Sequence, residues 1–418
     1  MSPDGGWRST PHPGLHAGPA WGGAGRLPRA PPVSVEAVTR PLLLLMDARY
    51  TRTDMHDGIS RYGASLIEAV HRTADPARVR VEMLISDERQ LRLLPSGVPW
   101  HRVSSPTSVR EPWVARQVRR LRPDVVFSPL QTMGSWGRRH GLILTLHDLI
   151  YHEHPTPPGD LPEPLRWLWR AHHLTYTPQR LLLDRADAVA TVSRTTAALI
   201  TEHRLTRRPV RVVPNAPQPV AAPRDPEAVP AREILYMGSF MPYKDVESVL
   251  EAAPLLPGYT LHLLSRIGDE RRRALEAHLA DARRRRGARG AEVVFHGGVE
   301  EAEYVRLLRR VTASVTLSRA EGFGLPVAEA QAHGTPVVCS ELPVFREVAG
   351  AGTPAWRGVP LEGDRGAALA RHVRELEGPD VFSAASRASV AQAARFTWDA
   401  SAAELLDLVA DVARRRAA

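Results

Sequence analysis

One cysteine, Cys339, stands in 418 residues. That excludes a disulfide framework and a multi-cysteine zinc or iron–sulfur site. No apolar run approaches the roughly 18 residues of a membrane helix; Leu42 to Met46 is followed at once by Asp47 and Arg49. The start carries no basic-then-apolar signal sequence. The simplest location is therefore the cytoplasm, with peripheral contact at a membrane surface left open. Lysine is almost missing too: of 55 Lys plus Arg, Lys244 is the single lysine. No Asp-x-Asp occurs, which removes a common carboxylate anchor for a metal–diphosphate complex. A Walker sequence is absent, as is a full Gly-x-Gly-x-x-Gly fingerprint with its acidic residue. An NAD- or other nucleotide-dependent enzyme of another class would need such a fingerprint.

What remains is ordinary for a globular protein: 43% hydrophobic and 24% charged residues. A wholly disordered or collagen-like chain is excluded, and the length favours two domains over one core. The net charge of +9 admits an anionic partner. However, arginine in place of lysine, with abundant Ala, Gly and Pro, reads as the codon bias of a GC-rich genome. Nucleic acid is accordingly not expected as a partner.

Residues 1–36 are Pro- and Gly-rich without hydrophobic periodicity, and are expected to be a disordered tail or a start assigned too early. From Pro41 onward, short apolar runs alternate with helical stretches. Strands are expected at Leu42–Met46, Val79–Ile85, Asp124–Ser128, Leu142–Leu146, Ala188–Val192 and Val210–Val213, and helices at Ile59–Val70, Trp113–Leu121 and Leu165–Asp184. Residues 217–232 carry five prolines and read as a linker. A second alternation begins with strand Glu233–Met237 and runs to strand Pro336–Cys339; an amphipathic helix closes the chain. The expected architecture is α/β: two doubly wound Rossmann-like domains, residues 37–216 and 233–395, followed by a terminal segment, 396–418. Ligands of such sheets bind beyond the carboxyl ends of the strands, here in the cleft between domains.

Four segments carry candidate chemistry. The most informative is Ser318-Arg319-Ala320-Glu321-Gly322-Phe323-Gly324-Leu325-Pro326, with Glu329 three residues on. Its glycines admit close backbone approach, and the amides of Gly322, Phe323, Gly324 and Leu325 open a helix, where anions are favoured. Glu329 is expected in the first turn; it suits a ribose diol, or is a plain helix cap. The second is Lys244, beyond the strand that leads to Gly238 and Ser239. It is either a counter-charge for a diphosphate or a solvated lysine. The third is His147-Asp148, at a strand end, where His147 would bond a sugar hydroxyl or carry a proton. The neighbouring His152, Glu153 and His154 fit no metal-ligand spacing. The fourth is the loop His56-Asp57-Gly58-Ile59-Ser60-Arg61, with Gly58 expected in a tight turn facing the cleft.

These residues resemble the retaining, nucleotide-sugar-dependent glycosyltransferases of the group-1 (family 4) type, with GT-B architecture. Glu321-Gly322-Phe323-Gly324-Leu325-Pro326 with Glu329 matches that family's paired-glutamate motif. The resemblance extends over His147-Asp148, Asp187–Ser193, Val212–Asn215, Glu347–Gly350 and Phe396-Thr397-Trp398, covering roughly residues 41–412. It implies that the second domain binds a nucleotide-sugar donor, and that the final helix crosses back onto the first. It assigns Glu329 to the ribose, Lys244 to the diphosphate, and Glu321 with the Phe323–Leu325 amides to the sugar and its phosphate. His147 would reach the sugar from the other domain, and Gly58 would line the phosphate edge. No metal or other cofactor is expected, and the acceptor would be a glycan, a lipid-linked or a small molecule, with GDP-mannose the favoured donor and UDP-glucose next. One departure stands out: Ser239 occupies the place of the family's usual arginine, and Arg266 is the candidate to compensate. A non-enzymatic nucleotide- or glycan-binding paralogue is the alternative.

Overall fold

The computed structural model describes residues 40–54, 56–155 and 163–418; the expected tail, residues 1–36, lies outside them. The first sheet comprises β1 (Leu42–Asp47), β2 (Val79–Ile85), β3 (Trp100–Arg102), β4 (Val125–Ser128), β5 (Gly141–Leu146), β6 (Ala188–Thr191) and β7 (Val210–Val212). Their order is β3-β2-β1-β4-β5-β6-β7, with every pairing parallel. The second sheet comprises β8 (Ala231–Tyr236), β9 (Thr260–Leu263), β10 (Glu292–Phe295), β11 (Val311–Thr316), β12 (Val337–Ser340) and β13 (Trp356–Val359). It repeats the plan, again all parallel, in the order β10-β9-β8-β11-β12-β13. Each sheet thus reverses strand order once, between β1 and β4 and between β8 and β11. Beyond the carboxyl ends at that reversal lies the ligand crevice of open parallel sheets.

Continuous apolar runs make the central strands. Leu43, Leu44, Leu45 and Met46 of β1 are all buried, as expected of a strand covered on both faces. The helix Gly58–Thr73 buries Tyr62, Leu66, Ile67 and Val70 at helical spacing against β1 and β2. Elsewhere local signals divide what the pattern joined. The expected helix 165–184 is two, Glu163–His173 and Thr177–Leu183, the second opening on Pro178. Likewise 113–121 is a single α-turn, Val114–Val118, between short 3₁₀ segments. The terminal helix, Trp398–Ala417, is capped by Thr397, whose hydroxyl accepts from the Ala400 amide. It leaves the second half and packs on the first. Ser401 donates to the Pro214 carbonyl, and Arg211 pairs with Glu404 and Asp411 on the helix. A Cβ at Gly141 would stand 2.5 Å from a Val412 methyl, so glycine sets the closeness of that packing.

A candidate active site in the cleft

The reversal between β8 and β11 places two loops side by side. From β8 the chain passes Gly238 and Ser239 into the turn Pro242–Lys244. From β11 it passes Glu321 and the glycine loop into the helix Leu325–Ala332. Lys244 Nζ lies 2.5 Å from Glu321 Oε1, with both side chains largely buried. Burial alone would lower the ammonium's pKa; Glu321, Tyr243 and Asp148 together outweigh that effect, and the value is raised. Lys244 is therefore a charged group at neutral pH, not a solvated surface lysine. Ser318 Oγ donates to the same carboxylate oxygen at 3.0 Å. Gly324 ends the loop at φ +86°, and a Cβ there would come within 2.5 Å of the Phe345 ring. Only glycine meets both demands. Phe323 is buried edge-on against Phe396, ring centroids 5.4 Å apart, and Leu325 and Pro326 begin the helix.

The first half supplies the opposite wall. A Cβ at Gly322 would stand 2.5 Å from the carbonyl oxygen of His147, so the glycine loop touches the carboxyl edge of β5. Thr196 Oγ1 lies 3.3 Å from the His147 carbonyl oxygen and 3.5 Å from that of Gly322. The His147 ring stands edge-on to Tyr62, and its Nε2 lies 2.7 Å from the Pro129 carbonyl oxygen. A carbonyl only accepts, so Nε2 carries the hydrogen. Burial lowers the ring's pKa. A neutral imidazole with Nε2–H committed offers an Nδ1 lone pair, which fits a hydroxyl partner better than a proton carrier. Asp148, which the sequence places beside His147 without a role of its own, joins the same charge group. Burial lifts its pKa to about 6, opposed by the Ile150 amide; Glu321 lifts it and Lys244 lowers it.

Glu329 differs from its expected place. It is the fifth residue of its helix, a full turn in, and does not cap the backbone. Its Oε2 accepts from the buried Tyr304 hydroxyl at 3.1 Å, and its Oε1 from Arg61 Nη1 at 2.7 Å. Arg61 belongs to the first half, so this bond spans the cleft. Burial raises the Glu329 pKa, with Arg61 and Tyr304 opposing. Gly58 also needs correction. It is the first residue of the helix that carries Arg61, and is not among the glycines with positive φ. A Cβ there would meet nothing within 4 Å, so it borders open space rather than a tight turn. Asp57 caps that helix, accepting from the Ser60 amide at 2.8 Å. Arg61 lay in the quoted loop, three residues after Gly58 and so on the same helix face, but spacing alone named no partner for it.

The Gly238 amide donates to Ser265 Oγ at 3.2 Å, and the Ser239 carbonyl accepts from the Tyr236 hydroxyl at 2.6 Å. These bonds fix the turn ahead of Lys244. Arg266, beyond β9, is exposed, its stem lying against Gly298. Two other motif residues are structural. Asp187 accepts from the Leu142 amide and pairs with Arg138 at 2.5 Å. Glu347 accepts from the amides of Arg194 and Thr195, joining the second half to a helix of the first. Among the described residues no group of three His, Cys, Asp or Glu is arranged to hold a metal ion. His154 stacks on Tyr243, and His152 packs at a tilt against Tyr176.

Residues 57–216 match the model of the glycosyl transferase 4-like domain, and residues 223–395 that of glycosyl transferases group 1. The chain is 31% identical over 210 residues to a D-inositol 3-phosphate glycosyltransferase of Thermobispora bispora, covering 48% of each. It is 32% identical over 167 residues to the O-antigen chain mannosyltransferase B of Escherichia coli, covering 40% of this chain and 42% of that one. The similarity thus spans about half the length of these curated relatives. Among solved structures, Anabaena HepE in complex with UDP and glucose superposes with a TM-score of 0.64 at 17% identity, over 88% of this chain and 100% of that one. The two matches together cover most of the chain, which belongs to the group 1 glycosyltransferases of GT-B fold.

Proposed function

We propose that the protein transfers a hexose, with retention, from a nucleotide-diphosphate sugar to a glycan, lipid-linked or small-molecule acceptor. The observation that carries this reading is the buried Lys244–Glu321 pair at the strand reversal, walled by His147 and Asp148 of the other half. Lys244 and the amides of Phe323 to Leu325 meet the charge that grows on the leaving diphosphate. Preorganised donors do this without reorganising during reaction. Glu321 faces the sugar, His147 Nδ1 accepts from a sugar hydroxyl, and Glu329 holds the ribose. Gly58 leaves room at the phosphate edge, and Arg266 supplies the guanidinium that Ser239 does not. Mannose is the favoured sugar, in keeping with the E. coli relative, and glucose is next.

The test is release of nucleoside diphosphate from GDP-mannose and UDP-glucose, with calorimetry beside it. Lys244→Ala should cut turnover about 100- to 1000-fold, the usual value of one such donor. Lys244→Arg should restore part of it. Glu321→Ala should lower kcat and leave nucleotide affinity near normal; Glu329→Ala should chiefly weaken binding. Unchanged turnover and binding in all three variants would remove the site. A wild type that binds nucleotide but turns over no donor favours a binding paralogue.

A further inference from the structure

Lys244 is followed by a residue in an unusual conformation. Asp245 has φ +47° and ψ +49°, one of three residues other than glycine with positive φ among those described. Its carboxylate is crowded with donors. Oδ1 accepts from the Ser248 hydroxyl at 2.8 Å and lies 3.4 Å from the Ser248 amide, capping the next helix. Oδ2 accepts from Arg319 Nε at 3.0 Å and from Arg365 Nη1. Arg365 is only 4% exposed. Its remaining donors reach the Leu317 carbonyl at 2.9 Å, Ser340 Oγ at 2.6 Å and the Pro360 carbonyl at 3.2 Å. Leu317 begins the loop that carries Glu321. The Arg319 amide also donates to the Tyr243 carbonyl at 2.8 Å. One buried guanidinium therefore ties the turn holding Lys244 to the loop holding Glu321 and to the end of β12.

Helix capping needs only Oδ1, and an asparagine would supply it in the same left-handed backbone. The charge on Oδ2 and the four-way use of Arg365 exceed that need. We propose that Asp245 and Arg365 are positioning residues for Lys244, holding its ammonium at the distance from Glu321 that the leaving diphosphate requires. This rests on the donor-site reading above.

The single lysine makes the test direct, because Lys244 gives the one side-chain signal of a chain dimethylated with ¹³C-formaldehyde. Asp245→Asn keeps the cap and removes the charge. It should remain folded, lower the pH midpoint of the Lys244 signal, and raise the rate at which an amine reagent modifies Lys244 about fivefold or more. On GDP-mannose or UDP-glucose, kcat should fall about 10- to 100-fold, as displacement by about 1 Å costs, with donor KM within about threefold. Arg365→Lys should show the same changes more weakly. A lysine signal, reactivity and kcat like wild type in a folded Asp245→Asn protein would overturn the proposal. So would equal losses in kcat and in donor binding, which mark a general structural role. If Lys244→Ala is inactive while Asp245→Asn is normal, only the positioning role falls. If Lys244→Ala is itself fully active, the donor site falls with it.

Discussion

Replacing Arg61 by methionine isolates the bond that spans the cleft. Both carboxylate oxygens of Glu329 are engaged: Arg61 holds Oε1 and Tyr304 holds Oε2. A ribose diol that approaches Oε1 from the cleft competes there with Arg61, whose second partner, Glu301, lies 3.7 Å away and is well exposed. A hydrogen bond to a charged group contributes about 1.5–3 kcal/mol. The Arg61 side chain is 26% exposed, and screening brings the figure to the lower end, about 1–1.5 kcal/mol. Arg61→Met should therefore bind nucleoside diphosphate about 5- to 10-fold more tightly. The sign depends on pH. Burial already holds the Glu329 pKa above the usual carboxylate range, and losing Arg61 raises it further. Above that raised value ribose meets a carboxylate. As pH falls through it the group protonates, and the gain disappears. Calorimetric titration with GDP and UDP over a pH series descending from 8.5 measures both. Affinity at pH 8.5 equal to or weaker than wild type, with Glu329→Ala still impaired, would refute the competition.

Asp148 has a folded pKa of about 6, against about 3.9 for a free side chain. Its raised value contributes stability below the unfolded pKa, and that contribution is lost as pH rises through about 6. Asp148→Asn should thus melt higher than wild type at pH 8, by about 1–3 kcal/mol, and equally near pH 4; a lower melting point at pH 8 contradicts the burial argument. Turnover should survive EDTA, since the diphosphate charge is assigned to Lys244 and to backbone amides; loss restored by Mn²⁺ or Mg²⁺ would reopen the cluster from His147 to His154. Trp167, 71% exposed on the helix Glu163–His173 beside Arg166 and Arg170, fits an interfacial helix. Anionic vesicles should co-sediment the protein at low salt and release it at high salt, and no binding at low salt removes membrane contact.

Strand runs were the most legible feature, because burial on both faces leaves no alternation to misread. Val79–Ile85 carries the same limits in sequence and structure. The polar edge strand Trp100–Arg102 left no such run and was missed, as was β13, Trp356–Val359. The glycine loop was legible because Gly324 must turn left-handed into a helix and Gly322 must admit the His147 carbonyl. The pairing of Lys244 with Glu321 was legible only as proximity to the same strand ends. What remained hidden was every partner fixed by tertiary packing. Arg61 and Glu329 are 268 residues apart, and no local pattern couples them. Arg365 opens a helix after an ordinary Asp cap, and in a chain with 54 arginines by difference from its one lysine, residue type alone marks none of them. Burial separates them. Arg365 is sequestered with four acceptors, whereas Arg266 stays exposed. A guanidinium withdrawn from water must be repaid by fixed partners. Where those partners include the loops that carry Lys244 and Glu321, the cost of burial is met by the geometry of the site itself.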